Sequence, residues 1–336
     1  MLKPKRLRPG DTVGIVSPSW YGGAEVGHRV ERGAAHLRSL GFEVRIAPHA
    51  LNSSGHVSDT PEHRTEDIHA MFRDPEIRAV LSTIGGDHSC HLLPLLDWDL
   101  IRANPKIFMG FSDITVLNVA IWTMTGLVTF NGPALMTDWA EYPAMPDYAE
   151  RYALAAICEP EPIGVIEPST WWTDEFLDWR ERADLTRARV RYPSGGWTWL
   201  RGGSAEGRLL GGCLESLQHL RGTPYWPEWD GAVLFLETSE EVPTPETVDA
   251  MLMDYENMGV FGRIDALLFA RPYGYTEDQR LALHAVLVKR TRRFGFPVVA
   301  DMDFGHTSPI CTLPVGCRVR VNGDTQRVEI LESAVS

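Results

Sequence analysis

The sequence predicts an α/β protein whose first half is a parallel sheet and whose second half is richer in strands. Apolar runs alternate with helical periods through the first 125 residues, and each run ends in a small or polar turn. That βαβ alternation implies parallel strands with helices on both faces. From about residue 160, short apolar runs are instead separated by Gly and Pro turns.

The elements follow in order. Asp11 to Ser17 is an apolar strand ending in Ser17-Pro18-Ser19, and residues 26–40 carry a helical period stopped by Gly41. Phe42 to Ala47 is the next strand. Thr60-Pro61-Glu62 then opens a helix running to about Phe72, with Pro in the first turn. Ala79 to Thr83 reads as a strand, Leu92 to Ala103 as a helix, and Lys106 to Met109 as a strand. A helical segment, Ile114 to Met124, closes the pattern. The first half is thus expected to be a flavodoxin-like parallel αβα domain over residues 1–155. Active sites in such sheets lie at the carboxyl ends of the strands, where Ser17, Gly85, Gly86 and Ser112 fall.

Residues 156–203 form an aromatic-rich connector that includes Trp171, Trp172, Phe176, Trp179, Trp197 and Trp199. Residues 204–336 then read as a strand-rich α/β domain. Its strands are expected at 205–210, 233–236, 266–269, 298–300 and 318–321. Its helices are expected near 214–221, 244–259 and 278–293. No internal repeat or low-complexity segment is visible.

Composition narrows the function classes. At 336 residues the length fits about two domains. The net charge of -13 and the pI near 5.3 argue against nucleic acid or an anionic membrane as partner. No stretch approaches the ~18 apolar residues of a membrane span. The basic start, Met1 to Pro9, has no apolar region behind it and is not expected to be a secretory signal. The five cysteines are scattered and form no C-x-x-C. Reduced thiols in a cytoplasmic protein are the expectation.

The chemistry centres on Gly110-Phe111-Ser112-Asp113, between a strand and a helix. A sharp strand-to-helix turn on a Ser is how a nucleophile elbow is written. The turn lifts Oγ above the strand ends, and the helix N-terminus brings N–H groups and positive dipole beside it. The same tetrad also occurs where Ser or Asp merely caps a helix. Partners stand further along. Glu237 ends the apolar run 233–236, and His306 follows the run 298–300. A serine nucleophile needs a base, and the base needs a carboxylate to fix its tautomer. Ser112, Glu237 and His306 fill those roles. Asp301 and Asp303 are the competing acids.

Several motifs together are more specific. They are Gly10 to Pro18, Ser82-Thr-Ile-Gly-Gly-Asp-His88, the Gly110 tetrad, Leu210 to Leu217, Gly222 to Pro227, Leu234-Phe-Leu-Glu237 and Phe304-Gly-His306. In this order they resemble the LD-carboxypeptidase family of serine peptidases, and within it the microcin C immunity branch. The resemblance runs from about residue 5 to residue 322. It implies a Ser-Glu-His triad, a two-domain αβ fold, a homodimer, no metal and no other cofactor. It also implies cleavage near the C-terminus of a small peptide or peptidyl-nucleotide. The murein LD-carboxypeptidases of peptidoglycan recycling are the alternative, and a non-catalytic binding protein of the same fold is a third reading.

The remaining features have two readings each. Gly85-Gly86 lacks the spacing of a phosphate loop. It is expected either to be a plain tight turn or to bring Gly86 N–H beside Asp113 N–H as an oxyanion hole, with Gly85 against the substrate. His88 and His91 lack a third ligand at metal spacing and are expected to be capping or surface residues. Glu240 and Glu241 are expected to be solvated or cleft-lining. Trp171, Trp172 and Trp179 either pack a core or dimer face or stack on a nucleobase, as the microcin-immunity branch implies for its long loop.

Overall fold

The computed structural model describes all residues from Met1 to Ser336. In chain order the first half contains β1 (Thr12–Val16), α1 (Gly22–Glu25), α2 (Gly27–Ser39), β2 (Glu43–Ile46), α3 (Pro61–Arg73), β3 (Ile77–Ser82), α4 (Trp98–Ala103), β4 (Ile107–Gly110), α5 (Thr115–Thr125), β5 (Thr129–Asn131) and α6 (Asp147–Ile157). The connector contains β6 (Gly164–Ile166), β7 (Trp171–Trp172), β8 (Tyr192–Pro193) and β9 (Thr198–Arg201). The second half contains β10 (Ser204–Cys213), α7 (Leu214–Leu217), β11 (Ala232–Glu237), α8 (Pro245–Asn257), β12 (Ile264–Ala270), α9 (Glu277–Thr291), β13 (Val298–Met302), β14 (Leu313–Val315), β15 (Arg318–Asn322) and β16 (Arg327–Ile330).

Two sheets organise these elements. The first has the order β14-β5-β4-β3-β1-β2. Its strands are parallel except β14, which returns antiparallel to β5. The second has the order β6-β16-β15-β10-β11-β12-β13-β9, with a parallel centre from β10 to β13 and antiparallel flanks. This is the mixed α/β architecture expected, with a strand-rich second part. The central parallel strands are apolar on both faces, as double cover by helices requires, whereas the edge strand β2 exposes Glu43 and Arg45. β4 and β11 are buried at every position. One cluster of 84 buried apolar residues runs through both sheets. The sheets therefore share one core, and side chains at their junction are held from both sides.

Local chemistry sets the helix starts. Thr60 accepts from His63 N with Pro61 in the first turn, Thr244 accepts from Thr247 N with Pro245 behind it, and Thr276 forms a capping box with Gln279. The helix expected from Leu92 to Ala103 is shorter. A 3₁₀ turn covers Ser89–Leu92, and α4 begins only at Trp98, capped by Asp97. Pro94 lies between them and cannot continue a helix from Leu93. The connector lends β6 to β16 and β9 to β13, so it forms both edges of the larger sheet. No helix is long and apolar enough to cross a membrane.

Candidate active site

Ser112 sits just past the end of β4 and has φ +60°. A non-glycine residue held in the left-handed region costs about 1–3 kcal/mol and persists only where its surroundings enforce it. Phe111 before it is extended, and a 3₁₀ turn over Ser112–Ile114 runs straight into α5. The chain thus leaves the strand at Gly110, turns on Ser112 and enters the helix at Thr115, with four residues between. The tetrad's aspartate does different work. Asp113 is fully buried, its Oδ2 accepts from Ser89 N at 2.8 Å, and its carbonyl accepts from Ser89 Oγ at 2.8 Å. It clamps the segment after β3 against the elbow.

That clamp puts Gly85 on Ser112. A Cβ at Gly85 would lie 2.7 Å from Ser112 Cβ, 2.8 Å from its Oγ and 3.2 Å from Asp113 N. Only glycine allows the two turns this close. Gly86, at φ +140°, lies against Ser19 and Trp20 N instead. Gly85→Ala is therefore expected to displace Ser112 while the sheets stay folded. A displacement near 1 Å costs about 10²-fold in rate. Steady-state kinetics beside a circular-dichroism spectrum checks this. A variant with native activity would show that the close approach of Gly85 does not position Ser112.

The second sheet brings the other groups. Glu237 is the last residue of β11 and is fully buried. His306 Nδ1 donates to Glu237 Oε2 at 2.6 Å, and Glu237 Oε1 has no partner. A Cβ at Gly305 would fall 2.6 Å from Glu237 Oε2, so the residue before the histidine must be small. The sheets are joined at this point, because Thr115 at the start of α5 accepts from Cys213 N, the last residue of β10, at 2.9 Å. His306 and Phe111 are in ring contact with centroids 5.1 Å apart.

His306 Nε2, the nitrogen that would serve Ser112, is taken. It lies 2.8 Å from Glu240 Oε2. Burial alone would push the imidazole down, but the Glu237 and Glu240 carboxylates override it and hold His306 well above its ordinary value. Burial pushes Glu237 up, with His306 opposing. Asp301 and Asp303 are engaged elsewhere. Asp301 accepts from Thr198, Arg280 and His284, and Asp303 from Ser169 N, Trp197 and Arg271. Neither reaches His306.

Ser112 and His306 line one cleft of about 520 Å³, together with Gly85, Gly86, Glu240 and Trp179. Trp179 stacks under the Arg29 guanidinium at 4.5 Å, and Phe176 beside it is 60% exposed. Trp171 and Trp172 do not line this cleft. They form β7, paired with β8, and lie under Arg191 and Arg271. Tyr273, Asp138, Arg29 and Arg189 also line it. Sequence reasoning did not single these four out, and nothing in their local pattern distinguishes them. His88 is in ring contact with both His56 and His91.

A buried acid holding a histidine, a serine on a strained elbow beside a glycine turn, and a helix N-terminus behind it are the parts that acyl transfer requires. The LD-carboxypeptidase N-terminal domain model matches residues 13–132, and the LD-carboxypeptidase C-terminal domain model matches residues 206–321. The Bacillus subtilis protein YocD, whose carboxypeptidase assignment is itself provisional, is 35% identical over 97% of this chain and 98% of its own. The microcin C7 self-immunity protein MccF of Escherichia coli is 31% identical over 98% and 96%. The solved structure of MccF in complex with aspartyl sulfamoyl adenosine superposes with a TM-score of 0.91 at 30% identity, covering the whole of both chains.

Proposed function

The chain belongs to the LD-carboxypeptidase family, and from that premise we propose a serine hydrolase of the microcin-immunity type, cleaving an amide near the end of a small peptidyl-nucleotide. Ser112 is the nucleophile, His306 the base and Glu237 the acid that fixes its tautomer. The observation that carries the reading is the 2.6 Å contact between His306 and Glu237 on the cleft that Ser112 also lines. Residues 1–155 would supply the nucleophile and residues 204–336 its two partners.

Ser112 Oγ attacks the carbonyl as His306 Nε2 takes its proton. The oxyanion is held by Asp113 N–H at the entry to α5 and by Gly86 N–H, with Gly85 against the substrate. His306 then gives the proton to the leaving nitrogen, and the same base activates water to release the acyl group. Every step asks Nε2 to be free, so the Glu240 contact must open first.

The nucleotide half of the substrate is placed on Trp179. One face of its ring is covered by Arg29, and the exposed Phe176 stands at its edge. Trp171 and Trp172 are assigned to the β7–β8 hairpin. Trp179→Ala is expected to weaken binding of an aminoacyl sulfamoyl adenosine by about 1–3 kcal/mol, and to change murein tetrapeptide cleavage far less. Calorimetry on the Ser112→Ala background reads the binding directly. Equal binding by both proteins would return Trp179 to a packing role.

Product analysis with a murein tetrapeptide and an aminoacyl sulfamoyl adenosine side by side tests the subclass. Cleavage of the tetrapeptide alone would move the chain to the peptidoglycan-recycling reading. All five cysteines are free, which supports a cytoplasmic site of action. The homodimer implied by the family resemblance is tested by sedimentation.

A further inference from the structure

The contact between Glu240 and His306 has no place in the triad chemistry, and it is incompatible with it. Nδ1 donates to Glu237 and Nε2 faces a second carboxylate at 2.8 Å. A carboxylate is an acceptor, so both ring nitrogens carry protons, and an imidazolium cannot take the proton of Ser112. Partial desolvation against the cleft wall would raise Glu240, but the hydrogen bond from His306 holds it at about 2. The base is therefore locked in its charged form by a residue that must move.

Glu240 can move. It stands three residues beyond β11, on the turn before Val242, and its side chain is 60% exposed, whereas the His306 side chain is 8% exposed. A carboxylate drawn off an imidazolium loses its ion pair unless a second cation receives it. The protein offers none. The guanidiniums lining the cleft are Arg29 and Arg189. Arg29 is bound to Asp184 at 2.9 Å and to the carbonyls of Met136 and Thr137, and Arg189 is bound to Glu141 at 2.5 Å. Asp87, exposed on the rim next to Gly86, adds a further negative charge. A substrate carboxylate would find no free partner here, while an ammonium would find Glu240.

We infer that Glu240 is a substrate-released latch and a specificity residue, selecting substrates whose attacked residue carries an ammonium on its side chain. The ammonium takes the Glu240 carboxylate, the Nε2 proton passes to water, and the freed lone pair serves Ser112. Uncharged side chains leave the latch closed, and acidic ones are repelled. This rests on the serine-hydrolase reading.

The test compares lysyl, norleucyl and glutamyl sulfamoyl adenosine as probes, with Ser112→Ala as control. Wild type should favour lysyl over glutamyl by at least about tenfold, since like charges facing each other in a cleft repel. Glu240→Gln should lose the lysyl preference and process the norleucyl compound faster than wild type. Glu240→Lys should favour the glutamyl compound. Equal preferences in wild type and Glu240→Gln would overturn the latch. Activity in Ser112→Ala would overturn the hydrolase reading instead. A second measurement needs no substrate. Nitrogen NMR should show the His306 imidazolium persisting to higher pH in wild type than in Glu240→Gln. The other ionisable groups near it are unchanged between the two proteins: Glu237 with Glu215 and Cys213 behind it, and Asp138 held by Ser308. An unchanged titration would show that Glu240 does not sit on Nε2 in solution.

Discussion

Ser112→Ala is expected to lower kcat/KM by about 10⁴-fold or more while leaving the melting temperature within a few degrees of wild type. The rate loss follows because the members of a triad act as a unit, and removing the nucleophile removes the acyl-enzyme route altogether. The small stability change follows from what the substitution removes. Only one oxygen leaves, and the backbone at φ +60° carries a Cβ before and after, so the strain is unchanged. The elbow itself is held by Asp113 on Ser89 and by Thr115 on Cys213, and both contacts survive. Kinetics and thermal denaturation on the same preparation read both halves. Wild-type activity in the variant would exclude Ser112 as nucleophile. A large fall in melting temperature would mean that the loss of activity reports unfolding.

The sequence carried the centre of the parallel sheet because its inner strands are buried on both faces and so read as unbroken apolar runs. Val13 to Val16, Ala79 to Leu81 and Ile107 to Met109 all have exposures near zero. It carried less where pairing is decided at long range. β14 lies near the C-terminus yet pairs with β5, and β9 in the connector closes the far edge against β13. Neither run is long or apolar enough to announce its partner. β10 reaches to Cys213, past the Leu210 at which the apolar pattern stops, because Gly211 and Gly212 continue the strand. They are glycine for clearance. A Cβ at Gly211 would lie 1.8 Å from Phe235 O, and one at Gly212 would lie 2.4 Å from Thr115.

The candidate site was legible to the extent that its residues end strands. Ser112, Glu237 and His306 each follow an apolar run, and a parallel sheet delivers such ends to one edge. Glu240 was not legible. Its importance lies in a contact across 66 positions of sequence, and an acidic loop residue looks the same whether it is solvated or closed on a histidine. The tryptophans were equally opaque. Trp171, Trp172 and Trp179 share one composition-rich stretch, and only the β7–β8 hairpin separates the two that pair from the one that lines the cleft.

Glu237→Gln should be almost as damaging as loss of the nucleophile, with a kcat/KM reduction of about 10⁴-fold at neutral pH, the size seen when a triad carboxylate becomes an amide. The carboxamide keeps the shape but not the charge. It can present its NH₂ to Nδ1, which turns the imidazole to the wrong tautomer, and it cannot stabilise the imidazolium that forms when Ser112 is deprotonated. Stability carries a sign that separates this from simple misfolding. The Glu237 and Glu240 carboxylates hold His306 above its unfolded value of about 6.5. A histidine raised on folding contributes stability that is fully present below the unfolded value and lost as the pH rises through the folded one. Removing Glu237 removes most of that contribution. The melting-temperature gap between wild type and variant is therefore expected to be wider at pH 6 than at pH 9. Denaturation scans at the two pH values read it, with kinetics at each. A gap that stays constant or widens toward pH 9 would mean that His306 does not draw its charge from Glu237. The acid of the site would then have to be sought in Glu240, the other carboxylate that touches the ring.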